Sequence, residues 1–308
     1  MGKVFKALKR ADEAMFILPE AVNEPEETAP ETEMVTEAEA APAPEKRKAA
    51  SRKSKSASSR PSAAFGGSGG AAQGGQWDDR LVMATSTIGP VAESIRALRT
   101  RILFPSSGKI PRTILVTSAS PGEGKSFICA NLGISLAQGV DNYCLLVDCD
   151  LRKPTQHTLF GRGNMTGLSD YLRHKKPIPD LLCSSGVDKL SLLLSGPRSI
   201  NPAELLGSAA MSSLVDELAQ RYDDRIVLFD SPPLHAASET SVLAQHVDGV
   251  VLVVRSGVAR REYVKALAET IGRDKILGIV FNAYRATILD YRVFGYYEYQ
   301  KDYYYGEQ

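Results

Sequence analysis

The stretch Thr113-Ile114-Leu115-Val116-Thr117-Ser118-Ala119-Ser120-Pro121-Gly122-Glu123-Gly124-Lys125-Ser126 decides the fold. Residues 113–118 are rich in β-branched and apolar side chains and read as a buried strand; Lys125 and Ser126 open a helical pattern over 125–137. Between them lies a phosphate loop with Ala119 where the common pattern has its first glycine. Gly122 and Gly124 let backbone N–H groups close around a phosphate, and the start of the helix adds its positive end. Lys125 is then placed to reach β- and γ-phosphate oxygens and Ser126 to put its hydroxyl on Mg²⁺, with Ser120 and Glu123 completing the cofactor-binding loop. A structural turn can carry eight such residues, but the strand before and the helix after are the context a nucleotide site requires.

Five more apolar runs follow, at 143–149, 190–194, 226–230, 249–254 and 276–282. Helical patterns separate them at 167–173, 202–221, 239–245 and 260–271, and another precedes the loop at 90–104. Strands that are apolar on both faces and alternate with helices predict an α/β fold of the P-loop NTPase type, a mostly parallel sheet covered on both sides. Asn201, Pro202 and Glu204 predict a capping box at the start of the 202–221 helix. Two acidic clusters, Asp148-Cys149-Asp150 and Asp230-Ser231-Pro232-Pro233, fall at the carboxyl ends of strands, the edge where open parallel sheets bind ligands. Buried aspartates need a partner, and Mg²⁺ held with Ser126 would supply one.

The 308 residues are not uniform. Residues 20–45 hold nine glutamates and no basic residue, residues 46–60 hold seven Lys/Arg and no acid, and residues 66–75 hold six glycines. Such composition buries too little apolar surface to offset chain entropy, so 19–80 is expected to be a disordered linker. Ahead of it, Val4, Phe5, Leu8, Ala11, Met15 and Leu18 recur at helical spacing beside Lys3, Lys6, Lys9 and Arg10. That pattern predicts a basic amphipathic helix over 1–18, serving as a docking element or as a cap on its own domain. A P-loop domain is expected over 81–285 and a tyrosine-rich tail over 286–308. No apolar run approaches the ~20 residues that span a bilayer. Cys129, Cys144, Cys149 and Cys183 show no C-x-x-C pair, which suits a cytoplasmic chain without disulfides. A net charge of +1 argues against a general nucleic-acid binder unless the charge is segregated; the basic run at 46–60 could touch anionic lipid or nucleic acid, but a solvated tail is the plainer reading and no nucleic-acid partner is expected.

Three segments together resemble the Walker-type motifs of the bacterial tyrosine kinases, the autokinases of exopolysaccharide and capsule synthesis. They are residues 120–126, Leu145-Leu146-Val147-Asp148-Cys149-Asp150-Leu151-Arg152-Lys153-Pro154, and Val227-Leu228-Phe229-Asp230-Ser231-Pro232-Pro233. Gly2-Lys3-Val4-Phe5-Lys6-Ala7-Leu8-Lys9-Arg10-Ala11 resembles the start of the exosortase-associated subgroup. The resemblance implies ATP and Mg²⁺ as cofactors and transfer of the γ-phosphoryl group to tyrosine. Lys125 would serve the phosphates, Ser126 and Asp150 the metal, and Asp230 the metal through water. Asp148 would accept the tyrosine proton, the Asp148 and Asp150 roles being exchangeable. Arg152 would contact phosphate or a neighbouring protomer, and Asn282 the adenine.

Glu93, Arg96 and Arg99 lie beside the apolar stripe of the 90–104 helix. The resemblance implies a subunit contact that closes a homo-oligomeric ring; a solvated intrahelical pair is the plainer alternative. The segment 291–308 holds Tyr291, Tyr296, Tyr297, Tyr299, Tyr303, Tyr304 and Tyr305. They follow neither helical nor strand period, and with a phosphate loop in the same chain they read as phospho-acceptors entering a neighbour's site. The resemblance further implies a transmembrane chain-length regulator as activating partner, which would hold the kinase peripheral to the inner membrane. Two other functions compete: a partitioning or septum-positioning ATPase of the same fold, which usually carries a lysine where Ser120 stands, and a non-enzymatic nucleotide-binding regulator.

Overall fold

A computed structural model describes residues 15–19, 76–81, 89–105, 108–140, 142–221, 224–234, 237 and 239–284, all within one compact unit. The apolar runs form strands β2 (Thr113–Ser118), β3 (Tyr143–Asp148), β5 (Leu190–Leu193), β6 (Arg225–Asp230), β7 (Gly249–Arg255) and β8 (Ile276–Tyr284). Two short strands join them, β1 (Met15–Pro19) and β4 (Leu182–Ser184), and the sheet runs β1-β8-β7-β2-β6-β3-β5-β4. Every pairing is parallel except β4 with β5.

The strand period of two divides the apolar residues between two faces. Ile114, Val116, Leu146, Leu228 and Val251 pack on one face under α1 (Pro90–Leu103) and α2 (Lys125–Ala137), which contribute Ile95, Leu98, Ile128 and Leu132. Leu115, Leu145, Val227, Phe229 and Leu252 pack on the other, under α6 (Pro202–Leu206), α7 (Ala209–Arg221), α8 (Glu239–His246) and α9 (Arg261–Ile271). Between β3 and β4 lie the short helices α3 (Gln156–Leu159), α4 (Leu168–His174) and α5 (Ile178–Leu181). Strands covered on both sides explain why their sequences run apolar without alternation. Among the described residues no helix is long and apolar enough to cross a membrane.

Four local expectations need correcting. The helix expected over 1–18 does not reach its C-terminal end: Met15–Pro19 is a strand, Met15 opposite Ile279 and Phe16 opposite Val280, while residues 1–14 lie outside the described residues. A ladder partner satisfies backbone groups that a short helix in water leaves frayed. Trp77, assigned to the linker, is anchored: its Nε1 donates to the Ser185 carbonyl at 3.1 Å and its ring meets Phe160 edge-on at 5.8 Å. The expected 202–221 helix breaks at Gly207-Ser208, where the Ser208 hydroxyl accepts from the Met211 amide at 3.3 Å and starts α7. The capping box at Asn201 is not formed, because its Nδ2 donates to the Glu204 carboxylate at 2.8 Å and the helix amides go uncapped. The reciprocal bond appears instead at Gly167, whose amide donates to Asp170 at 3.0 Å.

Candidate active site

Parallel strands end together, so the register carries two aspartates to the same edge: Asp148 on β3 stands opposite Asp230 on β6, and Asp230 opposite Val116 on β2. Beyond β2 the loop turns through Gly122 and Gly124 at φ +79° and +91°, the left-handed region that favours glycine. A Cβ at Gly124 would lie 2.0 Å from Nδ2 of Asn282. That same Nδ2 donates to the Glu123 carbonyl at 2.9 Å, so the end of β8 braces the loop. Glu123 is fully buried and its carboxylate accepts from the Ser120 amide at 3.2 Å, drawing the loop back on itself. Arg255, the register partner of Asn282 on β7, donates to the Gly122 carbonyl at 3.3 Å. Gly124 gives α2 no side-chain cap and the first turn holds no acid, which leaves its amides available to an anion.

Lys125 Nζ, nearly buried, donates to Asp150 Oδ2 at 3.0 Å and to the Ser126 hydroxyl at 3.2 Å. Burial alone would push the Lys125 pKa down, but Asp230, Asp150 and Asp148 outweigh it and hold the ammonium above the ordinary lysine value. Asp148 accepts from the amides of Asp150 at 3.1 Å and Gln156 at 3.2 Å. Even so, burial together with the charges of Asp230 and Asp150 pushes its carboxyl well above the usual range. Asp230 is also raised by burial, with Lys125 and bonds from Gln156 and the Ser126 hydroxyl pulling it back in part. Asp150 Oδ1 accepts from the Lys153 amide at 2.9 Å. One ammonium thus faces three carboxylates, leaving two negative charges uncompensated if all three ionise.

Lys125, Ser126, Asp148, Asp150 and Asp230 converge here with the loop residues. Arg152 lies at the rim, donating to the buried Glu239 at 2.8 Å beside a cleft of about 480 Å³ lined also by Ile200, Asn201 and Glu204. Glu93 and Arg96 form an ion pair along α1, and Arg99 donates to the Ser135 carbonyl near the end of α2 at 2.9 Å. The seven tail tyrosines lie outside the described residues. The sequence reading missed Gln156, Glu239 and Arg255. None belongs to a spaced motif; Gln156 enters the site because Pro154 and Thr155 turn the chain back into α3.

A glycine loop at a strand–helix junction, a buried lysine and strand-end aspartates on a mostly parallel sheet define a nucleotide-binding P-loop protein. No family model matches the chain. It is 38% identical over 208 residues to the tyrosine-protein kinase YwqD of Bacillus subtilis, covering 67% of this chain and 86% of that one. Over 223 residues it is 31% identical to the tyrosine-protein kinase CpsD of Streptococcus agalactiae, covering 71% and 93%. The crystal structure of the chimerical protein CapA2B2 superimposes with a TM-score of 0.61 at 34% identity, covering 69% and 94%. The chain belongs to the bacterial tyrosine-protein kinases. It is a protein-tyrosine kinase, a transferase acting on tyrosine.

Proposed function

We propose that the chain is an ATP- and Mg²⁺-dependent autokinase that phosphorylates its own C-terminal tyrosine cluster in trans and so regulates exopolysaccharide synthesis and export. The observation that carries the chemical part is the grouping of Lys125 with Asp148, Asp150 and Asp230 at the mouth of the loop. The donor set fits a divalent cation: when all three carboxylates ionise two negative charges need offsetting, and Asp230 Oδ1 is buried with no hydrogen-bond partner by geometry. Among the described residues no three acidic, His or Cys side chains form a ready-made metal cluster. Mg²⁺ takes one or two carboxylates and completes its sphere with phosphate oxygens and water. Ser126 and Asp150 would hold it, with Asp230 reaching it through water. When bound, the cation neutralises charge on the transferring phosphoryl group.

The residues then divide the work. The loop amides and Lys125 hold the β- and γ-phosphates, Lys125 exchanging part of its bond to Asp150 for phosphate oxygens. Asp148 accepts the phenolic proton of an incoming tyrosine, an hydroxyl whose pKa of about 10 makes such help necessary. A raised Asp148 suits a proton acceptor only once positive charge enters the site and restores its ionised form. Asn282, at the end of β8, would read the adenine, and Arg152, at the rim, would contact phosphate or a neighbouring protomer.

The rest of the proposal rests on the family resemblance of the motifs and of residues 2–11. Glu93, Arg96 and Arg99 would join protomers in a ring, and a transmembrane chain-length regulator would hold the kinase at the inner membrane and activate it. Incubating purified protein with γ-labelled ATP and Mg²⁺ and mapping the labelled residues tests the central step. Label confined to Tyr291, Tyr296, Tyr297, Tyr299, Tyr303, Tyr304 and Tyr305 is expected, and absence of phosphotyrosine on the tail overturns the autokinase reading.

A further inference from the structure

Gln156 belongs to none of the three motifs, yet its side chain is fully buried at the floor of the site. Its Nε2 donates to the Ser126 carbonyl at 3.0 Å and to Asp230 Oδ2 at 2.8 Å, while its backbone amide donates to Asp148 Oδ2. The Ser126 carbonyl can only accept, so a flipped amide would set oxygen against oxygen there; the chemistry fixes the orientation. Gln156 Oε1 and Asp230 Oδ1 are then left without a hydrogen-bond partner by geometry, the Ser126 hydroxyl being the one other donor that acts on the Asp230 carboxylate. They flank one hydrogen bond, each on the same carbon as one of its bonded atoms. An unsatisfied buried acceptor is costly, and two on the partners of one hydrogen bond at the mouth of the loop point to a donor that binds there.

We infer that Gln156 is a positioning residue for the cation side of phosphoryl transfer: it fixes the rotamer of Asp230 and, with Asp230 Oδ1, supplies the acceptors for water molecules bound to the divalent cation. The inference rests on the proposed assignment of Ser126, Asp150 and Asp230 to that cation. A water on Mg²⁺ commits its oxygen to the ion and presents only hydrogens outward, so it needs acceptors and cannot use donors. Gln156 meets both needs at once. Its NH₂ group is spent on Asp230 and on the first turn of α2, and its oxygen remains. Lys125 cannot substitute, since an ammonium has no acceptor.

The test measures metal affinity apart from turnover. Mn²⁺, which is visible by electron paramagnetic resonance, is titrated into the full chain with ADP present, and ADP binding without metal is measured by calorimetry. Gln156→Met keeps the length of the side chain while removing donor and acceptor, and its Mn²⁺ dissociation constant should rise about 10- to 100-fold, the usual cost of losing an outer partner of a metal site. Metal-free ADP binding should stay at the wild-type value. Gln156→Asn, which keeps the amide but withdraws it by one methylene, should weaken Mn²⁺ as well and serves if the methionine variant does not fold. Unchanged Mn²⁺ affinity in either folded variant overturns the inference and leaves Gln156 a structural residue. If the wild-type chain itself shows no ADP-dependent Mn²⁺ binding, the cation assignment fails and takes this inference with it.

Discussion

Asp148 shows how a buried carboxylate divides stability from activity. Its folded pKa lies above the ordinary value of 3.8 through burial and through Asp230 and Asp150. The folded state therefore binds the proton more tightly than the unfolded one, so its contribution to stability is complete below 3.8 and is lost as pH rises through the folded value. Asp148→Asn removes that loss while keeping the shape. The metal-free variant should melt higher than wild type at pH 8, with the gap closing towards pH 4, and autophosphorylation should fall by about 10²- to 10⁴-fold, the usual share of a proton acceptor. Melting curves across pH and a labelled-ATP assay read the two effects separately. Lys125→Met should act in the opposite direction on stability at neutral pH, because it strips three buried carboxylates of the ammonium facing them; abolished phosphotyrosine with a lowered melting temperature is expected. These residues were legible because nucleotide chemistry demands fixed residue types at fixed spacing. Gln156 was not, since what selects it is the distance between two strand ends and a turn, which no local pattern encodes.

At the scale of elements, β2, β3, β6 and β7 read well because each is buried on both faces and needs only a run of apolar residues. What escaped reading were elements defined by a neighbour. β1 exists as a strand through its parallel pairing with β8, and its sequence taken alone fits a helical stripe equally well. β4 is three residues held on β5, and the break between α6 and α7 turns on one serine hydroxyl. Removing residues 1–19 would leave β8 as the outer edge of the sheet, with unpaired amides and carbonyls beside the strand that carries Asn282. The truncated protein should melt several degrees lower and scatter more light on heating; identical curves would make β1 dispensable to the domain. On α1, Glu93 and Arg96 pair on the surface, so the double change to Ala should alter stability by less than about 0.5 kcal/mol. If these residues join protomers, the same variant should nonetheless sediment as a smaller species. Arg99→Ala should cost an additional ~1 kcal/mol, because it also releases the Ser135 carbonyl.

For the molecule as a whole, a phosphate loop, the Glu93, Arg96 and Arg99 face proposed to join protomers and a tyrosine cluster would together make a cycle. Each phosphate adds about −1.5 to −2 charges, so a modified tail is repelled from a pocket containing Asp148, Asp150 and Asp230. The unphosphorylated protein should therefore assemble and the phosphorylated one disperse, which mass photometry before and after ATP, and again after phosphatase, reads directly. The central claim, transfer from one chain's site to another chain's tail, is tested most directly by mixing two halves of the machine. Full-length Lys125→Met keeps every tail tyrosine but lacks the phosphate lysine; a chain ending at residue 285 keeps the site but lacks the tail. With ATP and Mg²⁺, phosphotyrosine should appear on residues 291–305 of the Lys125→Met chain only when both proteins are present. An unlabelled Lys125→Met tail in the mixture, alongside a wild-type chain that labels itself, would contradict transfer between chains.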